Sequence, residues 1–190
     1  MGPPATLGIA LLLILLLLAL DRMALNLMRP VHRPPGREPA DVGLPSREWD
    51  IPGEPPLKGW WIEGGDPEGP VFLLAHGWGA NGGVVLPMAR AVAPVASSVV
   101  TYDVRGHGRS DRAPMVSIRQ FRDDAMRAIR AVTLEKPGRA VILVGHSLGG
   151  AAGVLAAAQG APLSAVILVA TPYDVYGTIA RYLEERGIPG

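Results

Sequence analysis

The chain opens on an unbroken apolar stretch. No charged side chain occurs between Gly2 and Leu20, and Leu7–Leu20 is almost wholly Leu, Ile and Ala. Pro3 and Pro4 suit a first helical turn, so the pattern predicts an apolar helix over Ala5–Leu20, about 24 Å long at the α-helical rise. Continuation through Met23–Met28 would bring it to the ~30 Å of a hydrocarbon core, with Asp21 and Arg22 near the interface. A secretory signal would show a basic start and a small-x-small cleavage site, and neither is evident. So uniform a leucine surface also argues against a buried core helix. The expectation is an uncleaved anchor that meets the membrane through residues 5–28.

Proline then dominates, at positions 30, 34, 35, 39, 45, 52, 55 and 56. This composition predicts an extended, semi-rigid spacer that carries the domain off the membrane surface. Further on, short apolar runs alternate with helical spacing. Ser46–Ile51 and Leu57–Ile62 bear aromatics between Pro and Gly and predict two antiparallel strands. Pro70–Ala75 reads as a buried strand, residues 84–95 as a helix, and Ser97–Tyr102 as another strand. Ser117 suits the N-cap of a helix reaching about Leu134, with Ile118, Phe121, Ala125, Ile129 and Val132 on one face. Val141–Val144 is a strand, Leu148–Gln159 a helix, Pro162–Val169 the last strand and Val175–Arg186 the last helix.

Strands and helices alternating at this length imply right-handed crossovers. The predicted class is α/β: a mainly parallel, doubly wound sheet of about six strands, preceded by the hydrophobic helix. The organisation expected is 1–28 anchor, 29–45 proline-rich linker and 46–190 domain.

Composition changes this picture little. Eighteen cations against seventeen acids, with no basic cluster in the folded part, give no reason to expect a nucleic-acid partner. With no cysteine there is no disulfide frame, thiolate metal site or cysteine nucleophile, and no feature requires a metal or organic cofactor. Arg22, Arg29, Arg33 and Arg37 follow the apolar helix while only the α-amino group precedes it. The positive-inside rule therefore favours a cytoplasmic domain.

The candidate chemistry lies in Gly145-His-Ser-Leu-Gly149, between a strand and a helix. A G-x-S-x-G turn exposes its serine on a sharp bend, and the flanking glycines relieve contact with the adjoining strand and helix. Acyl transfer also needs N–H donors where an oxyanion forms. The amide of Leu148 at a helix N-terminus is one candidate, and that of Trp78 in His76-Gly-Trp-Gly79 is the other. Both loops leave the carboxyl ends of parallel strands, where such sheets place their sites. Dinucleotide binding is disfavoured, because no G-x-G-x-x-G follows the first parallel strand.

The order HGWG, YDVRGHGRSD, GHSLGG over residues 46–190 resembles the α/β-hydrolase family, in its serine esterase, lipase and acylglycerol-hydrolase-like branch with an N-terminal anchor. The resemblance implies Ser147 as nucleophile, the Trp78 and Leu148 amides as oxyanion donors, and a small-molecule or lipid ester as substrate. It treats the Asp103–Asp111 loop as a structural landmark. In this family the acid and then the histidine follow the serine along the chain, yet His32, His76, His107 and His146 all precede Ser147. His76 is expected to hold its loop by backbone hydrogen bonds, and only His107 lies on a loop that could swing toward the site. Asp174 is a candidate acid, with a helix-start role as its alternative. The expectation is therefore an incomplete sheet, its final strands and closing helix missing after Ile188–Gly190. Its serine would lack a base, leaving this chain nearly inactive. The alternative is a non-catalytic binding module.

Overall fold

The run Val71–Ala75 is apolar at every position because both of its faces are covered. Val71, Leu73 and Ala75 join one core cluster, and Phe72 and Leu74 the other. A parallel strand buried on two sides gives this continuous pattern, where a half-exposed strand would alternate. The computed structural model describes residues 3–27, 29–185 and 187. It contains β1 (Ser46–Ile51), β2 (Leu57–Glu63), β3 (Val71–Ala75), β4 (Ser98–Tyr102), β5 (Val141–His146) and β6 (Ala165–Val169) in one sheet of order β1-β2-β4-β3-β5-β6. β1, β2 and β4 pair antiparallel, whereas β4, β3, β5 and β6 run parallel. The fold class read from the sequence is the one observed.

The helices α1 (Pro3–Leu27), α2 (Leu86–Val92), α3 (Ile118–Glu135), α4 (Leu148–Ala158) and α5 (Val175–Glu184) complete the chain. α3 begins at a capping box, with Ser117 Oγ accepting the Gln120 amide and Gln120 Oε1 accepting the Ser117 amide. Its expected face is buried at Phe121, Ala125, Ile129 and Val132. α3 and α4 cover one side of the sheet and α2 the other, the doubly wound arrangement. Residues 84–95 divide into α2 and a 3₁₀ turn at Ala93–Val95, since Pro94 cannot continue the α-helical ladder. β6 is an edge strand with Ile167 and Leu168 half exposed. The expected end of the anchor at Met28, the last helical residue Arg186 and the segment Ile188–Gly190 lie outside the described residues.

Leu7–Asn26 is long and apolar enough to cross a bilayer, with mean hydropathy 2.3 and none of its length buried. At the α-helical rise its twenty residues reach about 30 Å. The segment after it differs from a spacer standing clear. Pro30 and Pro39 are buried, Asn81 Nδ2 donates to the Arg33 carbonyl at 3.2 Å, and Pro39–Val42 form a 3₁₀ turn closed by Gly43. Val42 and Leu44 pack on the α2 side of the core. Stiff proline-rich backbone loses little further entropy on docking, so it can lie on a surface as readily as bridge a gap.

Candidate active site

β5 runs into α4 through a single residue, Ser147, whose backbone sits at φ 53°, ψ −123°. Non-glycine residues rarely adopt this conformation, and it persists only where surrounding structure fixes it. Three features do so here. The Ser147 amide donates to the Val169 carbonyl at the end of β6, at 2.9 Å. Behind the turn, a Cβ on Gly149 would press into the Ala75 and His76 carbonyls, the latter at 2.5 Å. In front of it, a Cβ on Gly77 would fall 2.9 Å from Ser147 Cβ and 3.3 Å from its Oγ. The loop after β3 is therefore laid directly against the serine, which only a missing side chain permits.

That loop carries Trp78. Its ring meets His107 edge-on at 5.5 Å and stacks on Phe121 at 6.2 Å, while 39% of the residue stays exposed. Among the described residues, the amides of Trp78 and Leu148 have no hydrogen-bond acceptor. Leu148 opens α4, where the first N–H groups have no intrahelical partner. Two unengaged amides thus belong to segments that flank Ser147.

Two of the histidines hold backbone groups. His76 is fully buried, with Nδ1 donating to the Gly77 carbonyl at 2.7 Å and Nε2 accepting the Val104 amide at 3.0 Å. These bonds require the neutral ring, and burial lowers its pKa from the ordinary 6.5 to about 4. His107 donates Nδ1–H to the Arg105 carbonyl at 3.0 Å, and its Nε2 is buried without a partner. Burial, with repulsion from His76 and more weakly His32, brings His107 to about 4 as well. His146 Nδ1 and His32 Nδ1 are also buried and unpartnered. Among the described residues no imidazole is hydrogen-bonded to Ser147 Oγ.

The Asp103–Asp111 loop is a scaffold. Asp103 accepts the Gly82 amide at 2.6 Å and the Arg109 amide at 2.9 Å, tying the loops after β4 and β3 together. Its burial raises the carboxyl pKa, against the opposing pull of those amides and Arg109. Sequence reasoning missed Asp124, fully buried on α3, whose carboxylate takes the Arg105 guanidinium and the Arg105 amide. Its signal was a carboxylate beside Ala125 on the apolar face. Asp174 Oδ1 accepts the Gly177 amide at 3.0 Å and caps α5, its helix-start alternative. Among the described residues no group of three His, Asp or Glu side chains could hold a metal ion.

Solved structures share this architecture. An esterase of Pyrococcus furiosus matches with TM-score 0.74 at 18% identity, over 85% of this chain and 63% of that one. A membrane phospholipase A matches with TM-score 0.59 at 23% identity, over 99% of this chain and 59% of that one. The fold is that of the α/β-hydrolases. Residues 66–185 match the model of the family described as serine aminopeptidase, S33, and the chain belongs to that family. Human monoglyceride lipase is 32% identical over 102 residues, 53% of this chain and 33% of that protein. The monoacylglycerol lipase of Mycolicibacterium smegmatis is 32% identical over 92 residues, 47% of this chain and 32% of that protein. The chain spans about a third of the length of these curated relatives.

Proposed function

We propose that this chain carries the nucleophile and oxyanion half of a membrane-anchored serine hydrolase acting on carboxylic esters, lipid esters foremost. The observation that carries the reading is Ser147 at φ 53°, ψ −123° between β5 and α4, with the Gly77 backbone against its side chain. Ser147 Oγ attacks the ester carbonyl, the leaving alcohol departs, and an acyl-enzyme forms that water then hydrolyses. The amides of Trp78 and Leu148 hold the oxyanion of each tetrahedral intermediate, aided by the α4 dipole. The names of the curated relatives, monoglyceride and monoacylglycerol lipases, support a lipid ester as substrate.

The attack needs a proton acceptor. His76 spends both ring nitrogens on the backbone, and no other described imidazole bonds Ser147 Oγ. We assign the base to a group outside the described residues, and the present chain is expected to turn over esters slowly or not at all. Asp174 remains the candidate acid, since its cap uses Oδ1 and leaves Oδ2 unbonded. Residues 5–28 anchor the protein in the membrane. Arg29, Arg33 and Arg37 behind them favour the cytoplasmic side.

A fluorophosphonate probe followed by peptide mapping, together with p-nitrophenyl butyrate hydrolysis, tests this. Slow labelling confined to Ser147 and absent in Ser147→Ala is expected, with negligible turnover. Labelling at another serine sinks the assignment. Rapid turnover lost in both Ser147→Ala and His107→Ala places the base inside this chain and refutes its external origin.

A further inference from the structure

The segment after the apolar helix is fastened to one particular edge of the domain. A Cβ on Gly106, in the loop after β4, would lie 2.6 Å from Pro30 Cγ, so proline and loop are in close contact. Asn81, in the loop after β3, holds the Arg33 carbonyl. Gly83 sits against Pro35 and the Arg37 carbonyl. β4, β3 and β5 are consecutive in the sheet and parallel among themselves, so these loops share the carboxyl edge on which Ser147 stands. The apolar window ends at Asn26, and Pro30 follows four residues on, a reach of at most about 14 Å. A headgroup layer is about 5–8 Å deep. The carboxyl edge is thus tethered within about 14 Å of the hydrocarbon boundary, about two headgroup layers at full extension.

The charge along this segment suits that position. Arg29, Arg33 and Arg37 are exposed, and among the described residues none of them forms an ion pair. Arg37 lines an open cleft of about 330 Å³ with Gly36, Asn81, Gly83, Val84 and Pro87. Half-exposed Val84 and the partly exposed Trp78 stand on the same edge. Cations beside apolar side chains, directly behind a membrane-length helix, match the chemistry of an anionic phospholipid surface.

We propose that residues 29–37 are a docking strap that seats the carboxyl edge of the sheet on anionic phospholipid headgroups, with Trp78 at the lipid boundary and Ser147 facing the bilayer. The arginines take the phosphates, Pro30 and Asn81 hold the strap to the domain, and esters enter from the membrane. This last step rests on the hydrolase reading above, whereas the docking does not. On an anionic surface each arginine favours the seated geometry by about fivefold.

The protein carries its own reporter. Trp49, Trp60 and Trp61 are 3%, 4% and 2% exposed, against 39% for Trp78, so contact quenching reads Trp78. The full chain is placed in nanodiscs of phosphatidylcholine containing a headgroup nitroxide lipid, with and without phosphatidylglycerol. Quenching is expected to rise about twofold or more with phosphatidylglycerol and to fall as salt shortens the Debye length. The combined variant Arg29→Gln, Arg33→Gln, Arg37→Gln abolishes this lipid dependence. Pro30→Gly with Asn81→Ala lowers Trp78 quenching while leaving every arginine in place. Equal quenching in both lipids, or a phosphatidylglycerol effect that survives the triple substitution, overturns the proposal, as does an absence of quenching in all discs. Fluorophosphonate labelling of the same discs reports on the hydrolase reading separately.

Discussion

Replacing Ser147 separately by alanine and by glycine measures the strain stored at the turn. Within a helix or strand glycine is less stable than alanine by about 0.5–1 kcal/mol, because the unfolded glycine has more freedom to lose. At φ 53°, ψ −123° the ranking reverses. A residue with a Cβ held there bears about 1–3 kcal/mol of backbone strain, which glycine does not. Setting one against the other leaves Ser147→Gly more stable than Ser147→Ala by about 1 kcal/mol, or about 2–4 °C in Tm for a chain of this size. Ser147→Ala itself changes little, since the hydroxyl makes no capping hydrogen bond. The assay is thermal unfolding of the full chain in detergent, followed by near-UV circular dichroism. Alanine is the reference because it keeps the Cβ and removes only the oxygen. If Ser147→Gly melts below Ser147→Ala by the ordinary helix penalty, the turn is relaxed and the case for a strained nucleophile fails.

Other substitutions probe the same contacts. Gly149→Ala drives a methyl into the carbonyls of Ala75 and His76 and is expected to cost about 3 kcal/mol or more; Gly36→Ala, which meets nothing within 4 Å, should leave the denaturation midpoint unchanged. Asp103→Ala strands the Gly82 and Arg109 amides, a loss of about 3 kcal/mol in chemical denaturation, and a loss under 1 kcal/mol would show that water replaces the carboxylate. His76, held from 6.5 down to about 4, favours the folded state fully above pH 6.5, and this advantage drains away as pH falls toward 4, by about 3 kcal/mol in all. Its ring proton resonances should therefore stay fixed between about pH 8 and pH 5, and a titration midpoint near the ordinary value would contradict the buried neutral ring.

The sheet was legible because its evidence is local. Val71–Ala75 and Val141–Val144 are continuous apolar runs bounded by glycine or proline, and the Phe121, Ala125, Ile129, Val132 series has a helical period. Each pattern states which face is buried before any partner is known. The docking of residues 29–45 was not legible, for the converse reason. Proline at 30, 34, 35 and 39 reports a stiff backbone, but the surface that receives Pro30 depends on a bare Gly106 some seventy-six positions away. The 3₁₀ turn at Pro39–Val42 is too short to carry a period.

At the candidate site, the serine and its two flanking amides follow from one motif and one loop, whereas the histidines' occupations needed coordinates. His76 bonds the Gly77 carbonyl on its own loop and the Val104 amide on the next, and Asp103 joins the same loops through Gly82. HGWG and DVRGHG are therefore halves of one rigid unit that presses the Gly77 backbone onto Ser147 and fixes where the Trp78 amide lies. A protonated His76 could not accept the Val104 amide, so the burial that keeps the ring neutral also disqualifies it as a base while preserving the loop that carries Trp78. An imidazole that serves Ser147 has to be one that nothing else requires to stay uncharged.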